Sequence, residues 1–170
     1  IINATESSEG VQLTGTLEAG TTAEVILAKV GGTSTTFSST STPAVSVTGS
    51  TWTLTLDATA VNNLTNGDFK VSVKSIDTAG NATTSALADL KIDTVVAAPN
   101  ASIVDTGVQD AANAIVTKSG VVTAGQESGA TWEYNTGNGW RQGTGDTFTV
   151  SGDGSKTVQV RQTDAAGNVS

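Results

Sequence analysis

The sequence predicts an all-β protein built from two tandem domains, and three observations lead to this prediction. Short segments alternate apolar with polar residues, and turn-forming residues separate them. No long segment has the apolar spacing of an amphipathic helix. A strand-and-turn stretch also occurs twice, because Val71-Ser-Val-Lys-Ser-Ile-Asp-Thr-Ala-Gly-Asn81 aligns without gaps with Val158-Gln-Val-Arg-Gln-Thr-Asp-Ala-Ala-Gly-Asn168. A repeated supersecondary unit indicates a repeated domain, so we assign residues 1–95 to the first domain and 96–170 to the second.

The first domain is expected to contain about seven short strands, the number typical of an immunoglobulin-like β-sandwich. Alternation predicts its strands at residues 11–15, 23–29, 45–47, 52–56, 69–73 and 87–94, a weak edge strand within the polar loop 31–44, and a helical turn over 57–64. The second domain repeats this order, with strands starting near residues 103, 121, 132, 148 and 158. We therefore predict two tandem immunoglobulin-like sandwiches, the second without its last strand, which leaves an open sheet edge for another segment.

Composition and charge restrict the possible functions. The chain has no cysteine and no histidine, which excludes disulfides, Ser-His and Cys-His catalysis and imidazole metal sites. An enzyme would then need paired carboxylates in a cleft, and narrow sandwiches offer none, so we expect a non-catalytic protein. Sixteen acidic residues against eight basic ones argue against binding to nucleic acid or to anionic membranes. No apolar run reaches transmembrane length, so we expect no membrane insertion.

The repeated Asp-x-Ala-Gly-Asn segment permits two interpretations. Asp and Asn side chains bond to nearby backbone groups and Gly tolerates positive φ, so the segment can be a plain turn. The same carboxylate and amide oxygens, with exposed loop carbonyls, are also the hard ligands that Ca²⁺ prefers. The residues alone leave both interpretations open.

The motifs as a group resemble the bacterial immunoglobulin-like repeats of giant RTX-type adhesins. In the second domain they are Trp-Glu-Tyr, Gly-Asn-Gly-Trp, Gly-Thr-Gly-Asp-Thr-Phe and the repeated stretch; in the first they are Leu-Thr-Gly-Thr-Leu-Glu-Ala-Gly, Asn-Gly-Asp-Phe and Ile-Asp-Thr. The resemblance implies a type I-secreted, extracellular protein of the bacterial cell surface, with roles in cell adhesion and biofilm formation. It also implies neighbouring repeats of the same chain as partners and calcium at the domain junctions.

Sandwich topology, combined with this resemblance, suggests where calcium binds. If residues 11–15 form the first strand, the turn at Glu18 and the end of the last strand at Asp93 share the exit end of the first domain. We therefore predict one calcium site at the domain junction and a second at the entry end of the first domain. The junction ligands are Glu18, Asp93, Asp164 and Asn168, with Asp57 as a further candidate; those of the entry end are Glu6, Asp77 and Asn81. Asp105 and Asp110 are candidates for an additional site.

The expected function is that of a calcium-rigidified spacer, which extends the ligand-binding region of an adhesin from the cell surface. The alternative is a module that binds carbohydrate or host protein through the aromatic side chains of the second domain. Trp132, Tyr134 and Trp140 would form that platform. Strand-like alternation instead places Trp132 in the core and Trp140 over a sheet face.

Overall fold

The computed structural model describes residues 1–104, 107 and 115–170, and it divides the chain into two compact units, Ile1–Val95 and Val96–Ser170. Strands make up 45% and helices 8% of the described residues, and the sheets are antiparallel, which confirms the all-β prediction. Asp105 and Asp110 lie outside the described residues. No helix within them is long or apolar enough to span a membrane.

The first unit contains two short helices and eight strands. In chain order they are α1 (Ala4–Glu9), β1 (Val11–Thr16), β2 (Thr22–Lys29), β3 (Ser34–Phe37), β4 (Val45–Thr48), β5 (Thr51–Leu56), α2 (Ala58–Leu64), β6 (Gly67–Ile76), β7 (Ala82–Thr84) and β8 (Ala88–Ile92). The strands predicted by alternation are all present. Two elements were not predicted, α1 and β7.

The unpredicted helix α1 has no apolar periodicity from which it could be recognised. Its six residues are Ala-Thr-Glu-Ser-Ser-Glu, and Ser7 is its buried residue. It forms because Asn3 and Glu6 make a capping box: the Glu6 N–H donates to Asn3 Oδ1 (2.9 Å), and the Asn3 N–H donates to Glu6 Oε2 (3.0 Å). Local capping thus begins a helix in a segment that the hydrophobic pattern leaves unassigned.

Two sheets of the first unit enclose one core. One sheet has the order β1-β5-β4, and the other has the order β3-β2-β6-β7, with β8 also paired to β6. Inward-facing aliphatic residues of both sheets, such as Val25, Leu27, Leu54 and Leu56, are fully buried in the same cluster. Leu64 of α2 joins them, so α2 closes one end of the sandwich.

The second unit is built from six described strands in two sheets. They are β9 (Asn100–Ile103), β10 (Val121–Gly125), β11 (Thr131–Asn135), β12 (Trp140–Gln142), β13 (Thr147–Thr149) and β14 (Gln159–Thr163), arranged as β13-β10-β9 and β12-β11-β14. Trp132 is 3% exposed and contacts Phe148 at 5.8 Å between ring centroids, which confirms its predicted place in the core. Tyr134 stacks on the same phenylalanine ring at 4.2 Å.

Candidate functional site

The Asp77 turn follows β6 and is held together by its own aspartate. Asp77 Oδ1 accepts hydrogen bonds from the N–H groups of Ala79 (2.9 Å) and Asn81 (2.8 Å), and Asp77 Oδ2 accepts one from Asn81 Nδ2 (2.8 Å). The turn requires Gly80, whose φ of 88° lies in the left-handed region. The Asp, Gly and Asn of the Asp-x-Ala-Gly-Asn motif therefore each have a structural reason for their position.

The second unit repeats this geometry bond for bond after β14. Asp164 Oδ1 accepts from the N–H groups of Ala166 (2.8 Å) and Asn168 (2.9 Å), and Asp164 Oδ2 accepts from Asn168 Nδ2 (2.8 Å). Gly167 has a φ of 92°. One difference is burial, because Asn168 is only 5% exposed whereas Asn81 lies on the surface.

These hydrogen bonds stabilise the charged form of both aspartates. The side chain of Asn81 and the surrounding backbone N–H groups lower the pKa of Asp77. The side chain of Asn168 is the main cause of the lowered pKa of Asp164, and it outweighs the opposing effect of desolvation. Both turns therefore carry a carboxylate anion at neutral pH.

The structure corrects how the predicted ligands of the first unit are grouped. Thr22 pairs with Ile76, so the Glu18 turn lies at the same end of the sandwich as Asp77 and Asn81. We call this the Asp77 end. Gly67 pairs with Ile92 at the other end of β6, which has ten residues, so the two ends are roughly 30 Å apart.

Glu6, Asp57 and Asp93 lie at that opposite end, which we call the Asp93 end. Ile2 is held beside the end of β8, because Ile2 N donates to the Lys91 carbonyl (2.7 Å) and Asp93 N donates to the Ile2 carbonyl (2.9 Å). Glu6, four residues further along the chain, therefore also lies at the Asp93 end. The predicted grouping of Glu18 with Asp93, and of Glu6 with Asp77, was therefore wrong. The prediction counted β1 as the first strand, but Ile2 takes that place through its parallel bridge to Ile92, and β1 is the second.

Glu6, Asp57 and Asp93 each have a local structural role. Asp57 caps α2, because its Oδ1 accepts a hydrogen bond from the Ala60 N–H at 2.8 Å. Glu6 completes the capping box of α1. Asp93 Oδ2 forms an ion pair with Lys91 Nζ at 3.0 Å. These contacts explain the carboxylates without a metal ion.

A buried glutamine anchors the corresponding end of the second unit, which we call the Asp164 end. Gln162 is 1% exposed; its Oε1 accepts from the Glu127 N–H (2.8 Å) and its Nε2 donates to the Ala97 carbonyl (2.8 Å). Glu127 Oε1 in turn accepts from the Ala97 N–H (3.1 Å). This network ties the segment that enters the unit to the loop beside the Asp164 turn.

Sequence reasoning missed Gln162, although a signal was present. Val158, Val160 and Gln162 alternate along one strand and share a face, so the glutamine occupies a position where the pattern calls for an apolar residue. A polar residue on a core face needs buried hydrogen-bond partners. Here the partners are backbone groups of residues 97 and 127, which the sequence does not place nearby.

The oxygen donors at the Asp77 end of the first unit and at the Asp164 end of the second unit fit a calcium ion only in part. Asp77 Oδ2 and Asp164 Oδ2 each accept one hydrogen bond in their turn and retain a lone pair for a cation. Glu18 lies at the Asp77 end and Glu127 at the Asp164 end, so each end offers two carboxylates. In the parts of the chain that the structure describes, no three acidic side chains converge within one site.

The aromatic residues proposed as a binding platform do not share one surface. Trp132 is buried and Tyr134 is partly buried against the core, so Trp140 is the exposed member of the three, at 38%. The guanidinium of Arg161 lies over the Trp140 ring at 4.2 Å, and its Nη2 pairs with Glu133 Oε2 at 2.7 Å. A ligand that stacks on Trp140 would have to use its other ring face or displace Arg161.

Comparisons with known proteins add no relative. No protein-family model matches the chain, and no curated protein matches it either.

Proposed function

We propose that the chain is a non-catalytic spacer of a bacterial cell-surface adhesin, made of two immunoglobulin-like units that bind calcium at their Asp-x-Ala-Gly-Asn turns. The observation that carries this proposal is the recurrence of one strand and one hydrogen-bonded turn in two units with separate cores. A unit that buries its own core can be repeated many times in a chain without losing stability. Such repetition is what a long extracellular stalk requires.

The sheet order of the first unit supports the immunoglobulin-like interpretation. With Ile2 in the place of strand A, β1, β5 and β4 correspond to strands B, E and D. The second sheet, β3-β2-β6 followed by β7 and β8, then corresponds to strands C′, C, F and a G strand in two pieces. Under this assignment the Glu18 and Asp77 turns are the B–C and F–G loops, which lie at one end of such a sandwich.

Calcium enters the proposal through the chemistry of these loops. A carboxylate with a lowered pKa, a second carboxylate on the neighbouring loop and exposed carbonyls are oxygen donors of the kind that Ca²⁺ takes. At the Asp77 end the proposed ligands are Asp77, Asn81 and Glu18. At the Asp164 end they are Asp164 and Asn168. For Glu6 and Asp93, ligation of calcium stays a prediction.

Calorimetric titration of the full chain with Ca²⁺ tests the metal-binding part. We expect saturable binding, with a rise in melting temperature that grows with calcium concentration, because an ion that binds only the folded state stabilises it. Asp164→Asn should remove binding at its end. Asp153→Asn is the matched control, because it makes the same charge change in an exposed loop and should leave the titration unaltered.

Small-angle scattering with calcium and with excess chelator tests the spacer part. A rigid spacer should show a long, fixed maximum dimension with calcium and a broader distribution after chelation. No binding heat and identical scattering profiles would leave the repeated turns as plain turns and refute the calcium mechanism. Binding of the chain to a glycan array, lost in Trp140→Ala, would instead favour the ligand-binding alternative.

A further inference from the structure

We propose that Asn138 is a site of spontaneous covalent modification, at which the backbone nitrogen of Gly139 attacks the side-chain amide and converts it into a carboxylate. The reaction needs neither an enzyme nor a cofactor, and its co-reactant is water. The fold holds the other Asn-Gly pair of the chain, Asn66-Gly67, in an unreactive state. The inference is independent of calcium and of the spacer role.

The reaction is a deamidation in two steps. The N–H proton of Gly139 passes to hydroxide, and the nitrogen then forms a bond to Asn138 Cγ. The Cγ–Nδ2 bond breaks, and the side-chain nitrogen leaves as ammonia with a proton from water. Water next opens the resulting five-membered imide at either carbonyl carbon, which gives aspartate or isoaspartate. In sum, asparagine and water give a carboxylate and ammonium, with no oxidation or reduction.

Glycine after asparagine favours this reaction in both pairs. Glycine has no Cβ to obstruct the approach of its nitrogen to the asparagine Cγ, and its backbone reaches angles that other residues rarely adopt. The sequence contains this pair twice, as Asn66-Gly67 and as Asn138-Gly139. The two pairs have the same local chemistry, so a difference in their reactivity must come from the folded structure.

Both reacting groups of the Asn138 pair are free to move. Asn138 and Gly139 are exposed in the loop of residues 136–139, which the paired residues Asn135 and Trp140 close. In the described part of the chain, neither the Asn138 side chain nor the Gly139 N–H makes a hydrogen bond. A Cβ added to Gly139 would meet no atom within 4 Å, so the space beside this residue is open. The nitrogen can therefore approach Cγ without breaking another contact.

Both reacting groups of the Asn66 pair are held in place. Asn66 Oδ1 accepts hydrogen bonds from the Thr94 N–H (3.3 Å) and from the Thr94 hydroxyl (2.9 Å). Gly67 is the first residue of β6 and pairs with Ile92 of β8. Ring closure would break the contacts with Thr94 and pull Gly67 out of its register. Asn66 should therefore react only when this end of the sheet opens locally.

The products change the tip of the β11–β12 hairpin in charge and in backbone length. Each product carries one more negative charge than asparagine, and isoaspartate also places an additional methylene in the main chain. The new carboxylate stands two residues from the exposed ring of Trp140. Residues 136–139 belong to no strand and to no part of the core cluster, so the unit should stay folded after the reaction.

The test follows the full chain over time in mildly alkaline buffer at physiological temperature. Digestion with an acid-active protease then stops the reaction, and tandem mass spectrometry assigns the mass gain of replacing NH₂ by OH to a residue. We expect Asn138 to react at least about tenfold faster than Asn66 in the folded chain. In urea both pairs lose their tertiary contacts, so the two rates should agree within about twofold.

Two variants separate the reaction from its protection. Asn138→Gln should abolish the modification at this position and leave Asn66 unchanged, because glutamine would have to close a less favourable six-membered ring. Thr94→Ala removes the hydroxyl bond to Asn66 and should raise the rate at Asn66 by about threefold in the folded chain. If either variant does not fold, the comparison of the folded and urea-unfolded unmodified sequence still decides the question.

Three outcomes would overturn the proposal. Equal rates at the two pairs in the folded chain would mean that the contacts of Asn66 give no protection. A faster Asn66 would mean that the Thr94 donors stabilise the charge that develops on Oδ1 and so promote the attack. Reaction of Asn138 in urea but not in the folded chain would mean that the loop keeps Gly139 N away from Cγ.

Discussion

Gln162 carries the sharpest stability prediction, because it is the most buried polar side chain among the described residues of the second unit and makes two hydrogen bonds to backbone groups from distant parts of the chain. The perturbation is Gln162→Leu, which keeps a similar volume and removes both bonds. The Glu127 N–H and the Ala97 carbonyl, which belong to exposed residues, then lose their partners. Each lost hydrogen bond costs about 0.5–1.5 kcal/mol, and the added apolar burial of leucine offsets part of this.

The expected net loss is about 1 kcal/mol in the free energy of unfolding of the second unit. In a unit of this size, that loss lowers the melting temperature by roughly 4–8 °C. Differential scanning calorimetry of the full chain measures the shift, and hydrogen exchange assigns it, because the Glu127 amide should exchange faster in the variant. The first unit has its own core and should melt as before.

Ser75→Ala is the matched control, since Ser75 takes the position of Gln162 in the repeat of the first unit, where it is half-buried. We expect a change below about 0.5 kcal/mol. If Gln162→Leu leaves both the transition and the Glu127 exchange rate unchanged, the network does not hold the entering segment. The argument from buried hydrogen bonds would then be refuted.

Three further predictions concern the cores and the turns. Leu54→Ala should destabilise the first unit by about 2–5 kcal/mol, because Leu54 is fully buried. Leu87→Ala is the control: Leu87 is 66% exposed, so this variant should lose less than about 0.5 kcal/mol. Urea denaturation measures the free energy of unfolding of both variants. Gly143→Ala should lower the free energy of unfolding of the second unit by about 1–3 kcal/mol, because the added Cβ would lie 2.1 Å from Trp132 Cε2. The same overlap should shift the tryptophan fluorescence, and an unchanged spectrum would contradict the prediction. The pKa of Asp164 is lower in the folded state, so the stability that it contributes is present above its unfolded pKa of about 3.9 and is lost as pH falls through the folded value. Asp164→Asn should flatten the loss of stability as pH falls below the unfolded pKa of an aspartate, and a parallel curve would argue against it.

Local patterns were sufficient for much of the fold. Alternation placed β1, β2, β5 and β6 because each strand buries one face, and a period of two is visible within a few residues. The turn chemistry of Asp-x-Ala-Gly-Asn also depends on neighbours within four residues, so the sequence predicted both turns. The helix α1 was missed because its formation depends on a capping box rather than on apolar spacing.

The grouping of the charged residues was decided only by the tertiary structure. Ile2 pairs with Ile92 across almost the whole first unit, which makes β1 the second strand. The pairing of Thr22 with Ile76 and of Gly67 with Ile92 places Glu18 at the end opposite Asp93. The same holds for Gln162, whose partners Ala97 and Glu127 are far from it in the chain. Sequence by itself determined the period of each strand and the local chemistry of each turn, because both arise from neighbouring residues. Which ends and edges meet depends on long-range pairing, in which the shared core selects among registers that look alike locally.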